Sequence, residues 1–308
     1  MKSNYVIGIL LLVMMLGGCN LMEKLPKTIE QENREGNPGN NYEEAFFVPV
    51  QDYKGEDFAL HPEGDKSLAV VEGQEKEVEE EVKSYFQEIY HADVTVHNIV
   101  GTENGISVFV EATGDPYFTG IGILPVDVSE KEVRYDHLST MEGQVEDGIS
   151  AGLYAMAYPE AFANLDQLLE EFEAEYPVTT WNQEVVTHVK GNGYSTPYYF
   201  LTTLDPVFEN LYERYDENPD LTAEEVESYL EANPFSTEYL VITINLYMEE
   251  SDVDPDEGIL DTLVTLIEEA DDIPKGAYSV SLHDNQINAR TARGHKDNSL
   301  LYEFILKE

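Results

Sequence analysis

The chain has 308 residues, with 17 Lys and Arg against 62 Asp and Glu and a formal net charge of -45. A surface this negative repels phosphate backbones, which excludes DNA and RNA as partners. A hydrophobic content of 42% with 20 tyrosines belongs to a folded chain, and the length suits one large or two modest domains.

The first 18 residues read as a secretion signal. Lys2 gives a charged start, and Val6 to Leu16 is an uncharged apolar run. That run falls short of the about 20 residues a membrane-spanning helix needs, and has the length of a signal-peptide core. It ends in Leu16-Gly17-Gly18-Cys19, which resembles the lipobox of bacterial prolipoproteins. The resemblance implies a diacylglyceryl thioether on Cys19, cleavage before it, and palmitate-type acyl chains mooring the protein to the outer face of the cell membrane. Cys19 is the single cysteine, so the mature chain forms no internal disulfide. No cofactor is expected beyond that lipid.

Residues 19–45 are polar and turn-rich, with Glu35-Gly36-Asn37-Pro38-Gly39, and read as a flexible tether spanning roughly 25–30 Å. The region 46–308 is expected to fold as α+β, mainly antiparallel sheet with flanking helices, in one body or in two subdomains of about 46–140 and 141–308. Order begins at Phe46-Phe47-Val48-Pro49-Val50. Val78, Val82, Tyr85, Phe86 and Ile89 recur at helical spacing and predict a helix over 75–90. Strands follow at 94–100, 106–111 and 117–128, with a short fourth at 131–135, as an antiparallel meander.

Two helices are predicted at 145–158 and 160–176, broken near Pro159. The β-branched run 184–189 reads as a strand, as does 198–203. Helices follow over 206–215 and 222–230, the second opened by the capping box Thr222-Ala223-Glu224-Glu225. Strand 239–248, helix 256–270 and strands 278–282 and 300–306 complete the chain.

Candidate chemistry is sparse. The loop from Gly191 to Tyr199 sets glycines beside Tyr194, Tyr198 and Tyr199, a composition suited to a binding loop and equally to a turn followed by packed aromatics. Asp252, Asp254 and Asp256 alternate as in a calcium loop. However, Glu257 and Leu263 stand where an EF-hand needs Gly and Glu, so a helix N-cap is the favoured reading.

The seven histidines, His61, His91, His97, His137, His188, His283 and His295, form no metal-binding pair and read as solvent or edge residues. Arg290, Arg293, His295 and Lys296 oppose the acidic trend and would either neutralise local carboxylates or hold an anionic group. No Gly-x-Ser-x-Gly or other catalytic signature occurs, and no catalytic residue or metal ligand is assigned.

Phe46 to Gly55, Gly105 to Glu111, Glu142 to Glu146 with Gly152-Leu153-Tyr154, and Thr196-Pro197-Tyr198-Tyr199 together resemble a family of uncharacterised lipoproteins of staphylococci and bacilli, catalogued as a domain of unknown function. The resemblance implies a Gram-positive envelope protein and no activity. The expectation is a membrane-anchored, non-enzymatic protein that binds an envelope protein or a small ligand. A transporter's solute-binding component usually has two lobes of alternating strands and helices, which these clustered strands do not suggest, and a deep cleft between two lobes would favour it. A pocket of convergent ionisable groups would favour an envelope enzyme.

Overall fold

A computed structural model describes residues 46–191 and 193–308. Leu16, Gly17, Gly18, Cys19 and the tether to residue 45 lie outside the described residues. In chain order the elements are β1 (Phe47–Pro49), α1 (Gly64–Val71), α2 (Glu75–Tyr90), β2 (Val94–Thr102), β3 (Gly105–Ala112), β4 (Thr119–Asp127) and β5 (Glu132–Val133). Then come α3 (Gln144–Ala157), α4 (Pro159–Glu175), β6 (Val178–Thr179), α5 (Gln183–Val189) and β7 (Tyr199–Thr203). The chain closes with α6 (Pro206–Glu217), α7 (Ala223–Ala232), β8 (Leu240–Met248), α8 (Glu257–Glu269), β9 (Gly276–His283), β10 (Gln286–Asn288) and β11 (Leu300–Lys307).

The architecture is α+β, as expected. The meander is a four-stranded sheet in the order β2-β3-β4-β5, antiparallel throughout. Helix α2 covers it with Val78, Val82, Phe86 and Tyr90, one residue per turn on a single face and all buried. Each such side chain contributes about 1.5–3 kcal/mol by leaving water. Ile89, read as part of that stripe, is exposed.

The second sheet has the order β11-β9-β8-β6, and β7 pairs with β8 beside β6. All its pairings are antiparallel except β8 with β9, which run parallel because helix α8 carries the chain back between them. Ile242, Ile244 and Leu246 on β8 and Tyr278, Val280 and Leu282 on β9 turn into the main core. The alternate residues, Thr243, Asn245 and Tyr247 on β8 with Ser281 and His283 on β9, share the opposite face.

One element departs from the sequence reading. Residues 183–189 form a helix, α5, where a strand was expected. The Asn182 side chain caps it, accepting from the Val185 amide at 3.0 Å. Val185, Val186 and Val189 then bury one helical face against Val50, Tyr53 and Trp181 in a second core cluster. Packing at helical spacing overrides the β preference of valine. The same cluster takes in Ile287 of β10, whose antiparallel partner β1 comes from the start of the described chain.

Candidate functional site

The polar face of β8 and β9 is the floor of a cleft of about 260 Å³. One wall is Lys190 with the segment from Ser195 to Phe200, and the other is the loop from Ala292 to His295. The first wall is held from both sides. Thr119 of β4 pairs with Gly193 through backbone bonds at 2.9 and 3.1 Å, and its hydroxyl donates to the same Gly193 carbonyl. Ser195 bridges to Phe200, and the Thr196 hydroxyl accepts from the amides of Tyr198 and Tyr199. The second wall presses on the floor. A Cβ at Gly294 would lie 2.3 Å from a ring carbon of Tyr247, so only glycine lets the loop approach this closely.

Lys190 is the C-cap residue of α5. Its Nζ sits 4.5 Å from the centre of the Trp181 ring and 5.1 Å from that of Phe200. These cation–π contacts suit a desolvated ammonium, and the position also suits the negative end of the helix dipole. Burial nevertheless pushes its pKa down to about 8. Among the described residues no carboxylate forms an ion pair with Lys190. The Trp181 indole N–H donates to the Tyr247 hydroxyl at 2.8 Å, locking this aromatic wall to the floor. The Ser195 hydroxyl is buried at the cleft and has no hydrogen-bond partner among the described residues.

His283, expected as a solvent or edge residue, is instead buried on the floor. Its Nδ1 lies 2.8 Å from the Ser299 hydroxyl, and its Nε2 lies 3.4 Å from the Asn245 side-chain oxygen. With Ser299 donating to Nδ1 and Nε2–H donating to Asn245, a neutral ring satisfies both of its nitrogens. Burial first, then the charges of His295 and Lys296, hold its pKa down to about 4, against an opposing pull from Asp284.

The basic stretch divides in its roles. Lys296 is absorbed by the fold, bonding both oxygens of Asp284 at 2.8 and 2.9 Å beneath the Phe47 ring. Arg290 stacks on Phe46. Arg293 and His295 face the cleft instead.

Of the candidate tyrosine loop, Tyr198 and Tyr199 line the cleft and Tyr194 does not. Tyr198 donates its hydroxyl to Glu173, and Tyr199 is buried with its hydroxyl on Asp166 at 2.9 Å. Tyr194 packs between Phe162 and Tyr117. The loop therefore offers a wall rather than a row of exposed rings.

Of the alternating aspartates, Asp256 caps α8 through the Ile259 amide and Asp254 accepts from Asn298, while Asp252 stands at a turn with φ 65. No group of three or more His, Cys, Asp or Glu among the described residues is placed to hold a metal ion. A more open depression of about 400 Å³ beside α1 is lined by Asp65, Glu72 and Glu75 and apolar side chains.

Sequence reasoning missed Lys190, Ser195 and the floor. The signal was present in the alternation of Thr243, Asn245 and Tyr247, and of Ser281 and His283, within otherwise apolar strands.

Fold and site together define an α+β protein with a cation-lined cleft on the polar face of a mixed sheet. The chain belongs to the DUF1672 family, a protein family of unknown function whose model matches residues 40–307. The crystal structure of a DUF1672 family protein from Staphylococcus aureus is similar, with a TM-score of 0.70 at 16% identity, covering 85% of this chain and 99% of that one. That likeness shows the shared fold. A DUF5037 family protein from Ruminococcus gnavus aligns over 68% of this chain and 76% of its own at 14% identity, with a TM-score of 0.28, too low to argue from. No curated protein matches the sequence. No helix among the described residues is long and apolar enough to cross a membrane.

Proposed function

We propose that this protein is a lipoprotein of the cell envelope, moored through Cys19 to the outer face of the cell membrane, whose folded body binds a small ligand in the cleft between Lys190 with residues 195–200 on one side and residues 292–295 on the other. The hydrocarbon run ending at Cys19 supports the address. The observation that carries the binding role is the meeting, in one concave, aromatic-walled site, of a Lys190 ammonium that no carboxylate pairs with and a Ser195 hydroxyl that has no hydrogen-bond partner among the described residues. A buried hydroxyl left unbonded costs free energy, so its retention fits a group that a ligand satisfies. The lining gathers ionisable groups, as an enzyme's would, yet both ring nitrogens of His283 are engaged by Ser299 and Asn245, and no lining hydroxyl is hydrogen-bonded to a lining histidine or lysine among the described residues, so binding is the favoured reading.

The full chain, extracted from its host membrane in mild detergent, tests both parts by mass spectrometry. Denatured, it is expected to start at an acylated Cys19. Under native conditions it is expected to carry a small bound molecule that Ser195→Leu loses. An unacylated Cys19 overturns the anchor. A ligand-free protein whose Ser195→Leu variant is also indistinguishable in small-molecule binding overturns the cleft.

A further inference from the structure

The cleft is the electrostatic exception of this molecule. Acids outnumber cations 62 to 17 along the chain, yet none of the described residues lining the cleft is Asp or Glu. Its ionisable lining includes Lys190, Arg293, His283 and His295. The carboxylates that come near are turned to other partners: Glu173 to the Tyr198 hydroxyl, Asp166 to the Tyr199 hydroxyl, and Asp284 to Lys296.

The two lining cations stand without counter-charge. Among the described residues neither Lys190 nor Arg293 forms an ion pair. Lys190 is enclosed by rings, which attract a cation but supply no full negative charge. A desolvated, uncompensated ammonium either sheds its proton or acquires an anion. Residues with hydroxyl and amide side chains line the same cleft: Ser195, Thr243, Asn245 and Ser281. That donor set matches an oxyanion.

From these observations, and resting on the reading of the cleft as a ligand site, we infer that the cleft binds a small organic anion whose carboxylate or phosphate group pairs with Lys190 and Arg293 while its planar or apolar part lies on the aromatic wall. The volume sets the scale. At about 30 Å³ per water, 260 Å³ replaces about eight or nine waters, room for a small acid. The surrounding negative surface gives selectivity. It repels anions elsewhere and polyanions most of all, so a small acid reaches the two cations against the least repulsion.

The test is calorimetric titration of the full chain in detergent at fixed ionic strength, with benzoate, phenyl phosphate, inorganic phosphate, benzamide and benzylamine as probes. Benzoate or phenyl phosphate is expected to bind saturably, at least tenfold more tightly than benzamide, with benzylamine not binding. Whichever of the two binds more tightly identifies the headgroup. Inorganic phosphate binding as well as phenyl phosphate would overturn the role given to the aromatic wall. Lys190→Met is expected to weaken the anion at least tenfold, and Arg293→Gln, at an exposed site that does not bear on folding, at least threefold. Lys76→Met, far out on α2, is expected to change nothing. If benzamide binds as tightly as benzoate and neither cleft variant matters, the anion inference falls while the cleft remains a ligand site. If no probe binds and no small molecule accompanies the native protein, both readings fall together.

Discussion

Trp181 and Tyr247 are joined by a hydrogen bond from the indole N–H to the phenol oxygen at 2.8 Å, with both side chains buried. The bond couples the residue before the cap of α5 to the floor of the cleft on β8. Tyr247→Phe keeps the ring and removes the acceptor, leaving the buried indole N–H without its partner. The expected loss is about 1–3 kcal/mol in urea unfolding, larger than the ordinary net worth of one hydrogen bond. A variant within a few tenths of a kcal/mol of the parent would mean that the indole finds another partner.

The acid limb of stability should carry the signature of His283. The folded ring takes a proton only near pH 4, whereas the unfolded one does so near its ordinary 6.5. The unfolded state therefore binds the extra proton between these values. The stabilisation is complete above about pH 6.5 and is lost progressively as pH falls to about 4, on the order of 2–3 kcal/mol across that window. His283→Gln keeps a polar side chain and has no proton to gain. Urea unfolding at several pH values between 4 and 7.5 should give a shallower curve for the variant, whereas parallel curves would show that the ring titrates normally.

A close crossing fixes helix α1 against the meander. A Cβ at Gly101 would lie 2.1 Å from the backbone oxygen of Gly64, and one at Gly64 would lie 2.3 Å from the oxygen of Gly101. Backbone cannot swing aside as a side chain does. Gly101→Ala is expected to cost about 1–3 kcal/mol, read by thermal or urea unfolding, with the cleft's ligand affinity unchanged. Gly73→Ala, where a Cβ meets open space but φ is +82, would show backbone strain without the clash.

What the sequence makes legible is whatever one element specifies by itself. Helix α2 was bounded correctly at both ends because Val78, Val82 and Phe86 recur every turn among charges. The capping box at Thr222 and Glu225 is present as read. In residues 184–189 the valine content points to a strand while the spacing of Val185, Val186 and Val189 points to one helical face, and packing decides for the helix. The pairing of β1 with β10 left no local trace, since Val48 and Ile287 are brought together only by the whole intervening fold. The cleft was hidden for the same reason. Lys190 looks like one cation among many charges until Trp181, Phe200 and the β8–β9 floor are assembled around it.

The most direct measurement uses the protein's own reporter. Trp181 is the single tryptophan of the chain, and its ring lies against the Lys190 ammonium in the cleft. Its fluorescence should therefore respond to an anion arriving at that charge. Titration at pH 7 and fixed ionic strength is predicted to give a saturable change with benzoate or phenyl phosphate, a response at least tenfold weaker with benzamide, and a matching loss of affinity in Lys190→Met. Identical responses to the charged and neutral probes, or an unaltered titration in Lys190→Met, would contradict an anion held by this cleft.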